Sequence, residues 1–119
     1  MDEYVVLIVG DTDRWWTTMT ADDRAAGYAR YSEFERALAE RGHEVTGGAE
    51  LAPSAGGRRL AGTGEVTDGP FAEVTEQVGG FYQIRTADPD DLLDCCRILL
   101  TAGDGIELRR VIQPEERRA

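Results

Sequence analysis

The stretch YVVLIV, residues Tyr4–Val9, decides the fold of this chain. It is a nearly unbroken run of β-branched and aliphatic side chains, and a Gly-Asp dipeptide at 10–11 ends it. Such a run, bounded by turn residues, predicts a strand that is buried on both faces and lies at the centre of a sheet. The polar connection that follows, residues 11–19, is predicted to be a loop. Its Trp15 and Trp16 are expected to pack onto the core or across a partner surface.

A long helix follows, and both of its ends carry signals. Thr20 as N-cap and Asp23 three residues later form a capping-box pattern, and Asp22 also favours the positive end of the helix dipole. The periodicity continues to about Arg41, after which Gly42 supplies a left-handed C′ position. The predicted inward stripe consists of Arg24, Tyr28, Tyr31, Glu35 and Leu38, with Phe34 at its margin. The helix therefore presents phenols to the sheet, and not only aliphatic side chains.

The middle of the chain predicts short extended segments. Residues 43–51, HEVTGGAEL, form a strand in which Gly47 and Gly48 indicate a bulge or the close approach of another backbone or a ligand. Residues 52–57 are a loop by composition. Residues 58–69, RRLAGTGEVTDG, fit either two short strands around a glycine-containing turn or one interrupted strand. The pattern does not choose between these two.

The C-terminal part continues with strand, helix and strand. Phe81–Arg85 alternates sides as a half-buried strand. A second helix begins at the N-cap Asp88, with proline at N1 and acids in the first turn, and ends at Gly103. Its sheet-facing residues are predicted to be Leu92, Leu93, Cys96, Leu99 and Leu100. Ile106–Ile112 is the last strand, and residues 113–119 form a charged tail that frays.

The order β-α-β-(β)-β-α-β contains too few helices to cover both faces of a sheet. It therefore predicts the α+β class, with a ferredoxin-like βαββαβ layout and both helices on one side. The other face stays bare, and an apolar bare face needs a cover in water. Two copies that pair through this face form a dimeric α+β barrel with an isologous interface. We therefore expect a homodimer.

Composition narrows the possible partners. A length of 119 residues suits a single domain that spans residues 1–119. The net charge of −10 repels nucleic acids at long range, so we expect no nucleic-acid partner. No apolar run approaches the ~18 residues that cross a bilayer, and the first residues lack a secretory signal pattern. We therefore expect a cytoplasmic protein that does not contact membranes.

Several chemistries lack the residues that they need. All 13 cationic side chains are arginine, which excludes a lysine Schiff base and the usual anchor of pyridoxal phosphate. His43 is the one histidine, so we expect no metal site. The adjacent Cys95 and Cys96 point about 100° apart on a helix, which predicts two thiols, one buried and one half exposed. No GxGxxG, P-loop or GxSxG pattern occurs, so we expect no nucleotide or other cofactor.

The segment Thr67–Phe81, TDGPFAEVTEQVGGF, resembles the DGPF signature of the YCII-related family of small proteins. The similarity extends to the first strand with its Gly-Asp end, a tryptophan in the next loop, and the segments YSEFERALAERG, GGAELAP and IELRRVI. It covers nearly the whole chain. The resemblance implies a dimeric α+β barrel fold.

What the resemblance implies about function is limited. A separate branch of the family carries a histidine on the first helix, paired with an aspartate, and a few of its members are lyases or dehalogenases that act on lactones. This chain has Tyr31 at the matching position, and His43 lies beyond the helix. The lysine that is usual in the signature is also replaced, within Glu73–Gln77. These departures argue against histidine-driven chemistry. Other family members are encoded near sigma-factor-like regulators or fused to them.

Inward phenols and the acidic signature loop form the candidate site. Tyr31, Asp68 and Glu73 are the predicted catalytic residues, because a buried phenol near a carboxyl group can donate and orient a proton. The predicted ligand contacts are Tyr28, His43, Arg58, Phe71, Glu76 and Tyr82. A structural interpretation competes with this one, since Asp68-Gly69-Pro70 makes a shaped turn, core tyrosines bond to neighbours and loop glutamates are solvated.

Two functions fit these residues. The first is a cofactor-independent lyase, isomerase or cyclase that acts on a small molecule through acid–base residues in a cleft. The alternative is a non-catalytic ligand-binding or regulatory module that partners another protein. An enclosed pocket with two or more titratable groups within hydrogen-bond reach favours the enzyme, whereas a flat or dry surface favours the module.

Overall fold

The computed structural model of the protein describes residues 1–71, 77–102 and 104–118. The regular elements are β1 (Asp2–Gly10), α1 (Arg14–Thr17), α2 (Ala21–Glu40), β2 (Glu44–Glu50), β3 (Arg58–Leu60), β4 (Val66–Asp68), β5 (Gln77–Thr86), α3 (Pro89–Cys96) and β6 (Gly105–Arg110). Short 3-10 turns lie at Ser54–Gly56, Arg97–Ala102 and Pro114–Arg118. Strand β5 is longer than predicted, since it begins at Gln77.

The main sheet has four strands in the order β2-β5-β1-β6, and all neighbours are antiparallel. Strand β1 is central, as YVVLIV predicts, and with α2 and α3 on one face the fold is the predicted ferredoxin-like α+β layout. Val6 and Ile8 point towards the helices and are buried. Val5, Leu7 and Val9 alternate with them and are only partly buried. The predicted burial of β1 on both faces is therefore wrong within one chain, because no layer formed by the described residues covers the second face.

Residues 58–68 form a separate two-stranded hairpin, so the first of the two sequence alternatives is correct. Arg58 pairs with Asp68, and Leu60 pairs with Val66. The hairpin stands away from the core, since Leu60 and Val66 are 70% and 56% exposed.

Helix α2 has the predicted ends. The Thr20 hydroxyl accepts the Asp23 N–H at 3.1 Å, and the Asp23 carboxylate accepts the Thr20 N–H at 3.3 Å. The helix stops at Glu40, and Gly42 follows with φ +80°, a left-handed conformation that favours glycine.

The inward face of α2 is rotated from the predicted stripe. Phe34, predicted at the margin, is fully buried together with Leu38. Tyr28, predicted to point inwards, is 43% exposed, and Glu35 is also exposed. The reason is that Gly27, Phe34 and Leu38 face the sheet, and this places Tyr28 at the edge of the contact.

Helix α3 has the predicted cap, because the Asp88 side chain accepts the Asp91 N–H at 3.1 Å and proline occupies the first position. The buried residues of α3 are Leu92, Cys95 and Cys96, and the 3-10 turn that follows it buries Leu99. The predictions that Leu93 and Leu100 face the sheet are wrong, since they are 45% and 48% exposed.

The prediction that one of the two cysteine thiols is half exposed is also wrong, since both are buried. The buried face follows an i, i+3, i+4, i+7 spacing that includes both cysteines, and burial raises the pKa of Cys96 to about 12. The predicted end, Gly103, lies outside the described residues.

A buried polar cluster joins the end of α2 to the start of α3. His43 is 4% exposed; its Nδ1 lies 2.7 Å from Thr86 Oγ1 and its Nε2 lies 2.7 Å from Asp91 Oδ2. Thr86 Oγ1 also accepts the Asp88 N–H at 2.9 Å. The hydrogen bonds from His43 and then from Arg41 hold the pKa of Asp91 below its usual value. This cluster accounts for His43 as a structural residue.

We predict that Asp91→Asn lowers the melting temperature at pH 7 by a few degrees, and that the difference from wild type shrinks as the pH falls below about 4. The folded protein lowers the pKa of Asp91, so its carboxylate stabilises the fold above the unfolded-state pKa. That contribution is lost as the pH falls through the lower folded-state pKa. Thermal denaturation across the acid range measures this effect. Asp90→Asn is the control, since Asp90 shares the first turn of α3. A constant difference at all pH values would contradict the prediction.

Candidate functional site

A cavity of about 580 Å³ lies between the middle of α2 and the sheet. Its walls come from several elements that are distant in the sequence. Helix α1 contributes Trp15 and Trp16, and helix α2 contributes Tyr28, Tyr31 and Glu35. Strands β2 and β5 contribute residues 47–50 and 79–82, and Asp104 lies directly before β6. The lining of this half-open cavity contains both aromatic and ionisable groups.

Trp15 forms one wall of the cavity. It lies in α1, a short helix within the segment predicted to be a loop. Its ring meets Tyr28 and Tyr31 edge to face, with centroid distances of 5.1 and 6.5 Å. A Cβ at residue 27 would lie 2.4 Å from the ring, so Gly27 provides the space that Trp15 occupies. Trp15 therefore packs on its own chain, whereas Trp16 is 41% exposed.

Glycines in β2 and β5 form the sheet side of the cavity. A register shift between Val45 and Gly47 confirms the bulge indicated by the sequence. A Cβ at residue 48 would lie 2.6 Å from the carbonyl oxygen of Phe81, and one at residue 80 would lie 3.0 Å from the carbonyl oxygen of Ala49. The two strands therefore approach closely here, and no side chains from these glycines fill the space.

Two phenol–carboxylate pairs stand at the edge of the cavity. The Tyr28 hydroxyl donates to Glu50 Oε1 at 2.8 Å, and the Tyr82 hydroxyl donates to Glu35 Oε1 at 2.9 Å. Burial first, and then the partner glutamate, raises the pKa of each of these tyrosines. Both phenols therefore remain protonated donors, and each glutamate keeps a second oxygen.

Tyr31 and Asp104 also contribute ionisable groups to the lining. Burial, followed by the negative charges of Asp104 and Glu50, raises the pKa of Tyr31. Within the described ranges, its hydroxyl has no hydrogen-bond partner. The Asp104 side chain is 10% exposed, and its nearest cation is Arg14, with Nη2 3.9 Å from Oδ1. Burial raises the pKa of Asp104 although Arg14 acts in the opposite direction.

The sequence predictions for this site are met in part. Tyr28, Tyr31 and Tyr82 line the cavity. His43 does not line it, because it is buried in the cluster between α2 and α3. Glu73 and Glu76 lie outside the described residues. Sequence reasoning missed Asp104, which reaches the cavity because Val9 of the central strand pairs with Gly105. An acid directly before the last strand was the available signal, but its use requires the strand order.

The predicted residues Asp68, Arg58 and Phe71 also lie outside the cavity lining. Asp68 Oδ1 accepts Arg58 Nε at 2.8 Å on the hairpin, and both side chains are more than 70% exposed, at 75% and 72%. Phe71 carries the Arg59 guanidinium over its ring at 4.4 Å. These positions differ from the prediction because the hairpin carries them away from α2.

The turn at residues 68–70 is packed against an earlier loop. The Gly69 N–H donates to the carbonyl oxygen of Gly57 at 2.8 Å, and a Cβ at residue 69 would lie 1.7 Å from the carbonyl oxygen of Ser54. Ser54 Oγ accepts the Phe71 N–H at 3.1 Å and also contacts the Asp13 carboxylate. These contacts favour the structural interpretation of the turn.

The family model of the YCII-related domain matches residues 3–114. The chain belongs to the YCII-related domain family. This YCII-related chain is also 50% identical, over 46 residues, to an uncharacterized protein of Rhizobium meliloti (strain 1021). That match covers 39% of the chain and 37% of the relative, so the aligned segment spans well under half of either protein. Among the described residues of the YCII-related chain, no helix has both the length and the apolarity to span a bilayer.

His43, Asp91 and Cys95 bring three potential metal ligands of the YCII-related chain within 4.8 Å of one another. Both ring nitrogens of His43 already have partners, and Arg41 contacts the Asp91 carboxylate. Burial raises the pKa of Cys95, which keeps its thiol protonated. The cluster therefore has the properties of a helix-joining contact.

We predict that Gly27→Ala does not give the gain of about 1 kcal/mol in the free energy of unfolding that is usual for this change inside a helix. The added methyl group would collide with Trp15. In a Trp15→Ala background the same change should recover most of that gain, because the collision is absent. Urea denaturation of the four proteins of this cycle measures both effects. An equal gain in the two backgrounds would contradict the assigned role of Gly27.

Proposed function

We propose that this YCII-related domain binds a small molecule in the cavity between α2 and the sheet and transforms it by acid–base chemistry, as a cofactor-independent lyase, isomerase or cyclase. The observation that carries the proposal is Asp104. It is a nine-tenths-buried carboxyl group in the wall of an aromatic cavity that also contains the Tyr31 phenol. Asp104 thus takes the role that sequence reasoning gave to Asp68.

The environment of Asp104 suits proton transfer. A general acid or base works best when its pKa lies near the working pH, and burial raises the pKa of Asp104 from the usual range in that direction. Its carboxyl group would accept a proton from the substrate in one step and return it in the next. Because burial keeps Tyr31 protonated, its free hydroxyl would donate a hydrogen bond to oxygen that gains negative charge.

The phenol–carboxylate pairs favour the enzyme over a passive binding module. Two pairs of titratable groups lie within hydrogen-bond reach in the lining of one cavity, at 2.8 and 2.9 Å. The pairs of Tyr28 with Glu50 and of Tyr82 with Glu35 would hold the mouth of the cavity in a fixed geometry, since each joins α2 to a different strand. Positioning of a substrate depends on such fixed groups.

We predict that Asp104→Asn lowers kcat by about 100-fold or more and changes KM much less, because the amide keeps the shape but cannot transfer a proton. Tyr31→Phe should lower kcat by about tenfold, the loss of one hydrogen bond to the transition state. A metabolite screen by thermal shift, followed by product analysis, supplies the substrate.

Asp68→Asn is the matched control for this prediction, because Asp68 is an exposed aspartate outside the cavity lining. It should retain wild-type kcat. Full activity of Asp104→Asn would contradict the proposed role of Asp104. A molecule that binds in the cavity and is never transformed would favour the alternative, a non-catalytic ligand-binding or regulatory module.

We further propose that two copies of the chain form a homodimer through the open face of the sheet. Leu7 pairs with Phe81, which places both side chains on the face opposite the helices. Leu7 and Val5 lie on the central strand and are only partly buried in one chain. A second copy would supply the missing layer.

We predict that Leu7→Glu converts a wild-type dimer into a single copy in sedimentation equilibrium, because it places a charge in the middle of an apolar contact. Leu93→Glu is the control. It makes the same chemical change at a residue that is exposed on α3, and it should leave the dimer intact. A wild-type protein that sediments as a single copy would overturn the proposed dimer.

A further inference from the structure

We infer that the cavity selects a ligand with a positively charged basic nitrogen attached to an apolar body. This inference rests on the proposed function, since it names the class of molecule that would occupy the same cavity. The physical basis is the combination of carboxyl groups, aromatic rings and missing cations in the lining.

The charged groups of the lining are all acidic in the described part of the chain. They are Glu35, Glu50 and Asp104, and no arginine or histidine lines the cavity with them. The chain contains no lysine. Arg14 offsets part of the charge of Asp104 from 3.9 Å, but no ion pair reaches Glu35 or Glu50 among the described residues. An anionic ligand would therefore meet repulsion without a compensating cation, whereas a cation would be attracted.

The two glutamates have oxygen atoms available for a donor. Each uses Oε1 to accept a phenol hydroxyl, from Tyr28 in one case and from Tyr82 in the other. In the described ranges, Oε2 of Glu35 and Oε2 of Glu50 have no hydrogen-bond partner. The phenols fix the carboxylates in place, so an ammonium N–H can bind them with little loss of side-chain freedom.

A second, independent observation also indicates a ligand. Asp104 is nine-tenths buried, with 10% of its side chain exposed, and lines the cavity without a hydrogen-bond partner in the described part of the chain. Arg14 is its ion-pair partner at 3.9 Å, which leaves the hydrogen-bonding capacity of the carboxyl oxygens available to a ligand or water. A ligand that enters far enough to reach Asp104 would gain a charge-assisted hydrogen bond there.

The aromatic walls favour the same class of molecule. Trp15, Trp16 and three tyrosines surround the space, and the faces of such rings attract organic cations. They also provide apolar contact for the remainder of the ligand. A volume of about 580 Å³ suits a drug-sized molecule rather than a bare inorganic ion.

Three probes that share one apolar body test the inference: 2-phenylethylamine, 2-phenylethanol and phenylacetate, which are a cation, a neutral molecule and an anion at neutral pH. Trp15 and Trp16 are the two tryptophans of the chain, and both line the cavity, so their fluorescence reports binding directly. We expect 2-phenylethylamine to bind about tenfold more tightly than 2-phenylethanol, and phenylacetate to bind most weakly.

Variants identify the groups responsible. Glu35→Gln combined with Glu50→Gln should raise the Kd of 2-phenylethylamine about tenfold and leave that of 2-phenylethanol unchanged, because only the charge is removed. Glu33→Gln is the matched control. Glu33 lies on the same helix but outside the cavity lining, where it pairs with Arg30, so neither Kd should change.

The outcomes separate this inference from the proposed function. If the neutral probe or the anion binds as well as the cation, the selection for a cation is wrong while the cavity remains a ligand site. If the cation preference survives in the double variant, the two glutamates do not produce it and the inference is overturned. If none of the probes changes the fluorescence, the inference is overturned, whereas the proposed function is tested separately by the metabolite screen and the Asp104→Asn variant.

Discussion

The two halves of α2 meet the sheet differently, and the remaining features of the molecule depend on this difference. In the C-terminal half, Phe34 and Leu38 are fully buried and hold the helix tightly on the sheet. Closer to the N-terminus, Gly27 leaves the space that Trp15 occupies, and Tyr31 lines the cavity together with strand glycines such as Gly48. The glycines contribute no side chains to fill the gap between the helix and the sheet. A cavity therefore opens at one end of a layer that is closely packed at the other.

The same geometry decides the chemistry of the cavity. The hydroxyl groups of Tyr28 and Tyr82 reach carboxylates at the edge, where water is available, and form stable pairs with them. The Asp104 side chain is nine-tenths buried, and this burial raises its pKa although the Arg14 guanidinium, 3.9 Å away, acts in the opposite direction. The cavity thus has charged carboxylates at its edge and the protonatable Asp104 inside. From this combination we infer both the acid–base function and the cationic ligand.

Local sequence signals predicted much of this arrangement. The caps of α2 and α3, the central strand β1, the bulge near Gly47 and the three cavity tyrosines all follow from spacing and residue type within one element. The failures arose where tertiary packing decides. Leu93 fits the helical pattern but is exposed, because Cys95 and its buried neighbours form the face of the helix that packs on the sheet. The position of Asp104 could be predicted only from the strand order. Asp68 lies outside the cavity lining, because the direction of the hairpin does not follow from the hairpin sequence alone.

The most direct test of this account is the ionisation of Asp104, measured by carbon-13 NMR of the aspartate carboxyl groups as a function of pH. The Asp104→Asn spectrum assigns its signal. We expect Asp104 to titrate clearly above the ordinary aspartate value of about 3.9, because burial disfavours its charged form. Titration at or below that value would show that the carboxyl group is solvated or paired with Arg14, and would contradict its proposed role as the proton-transferring group of the cavity.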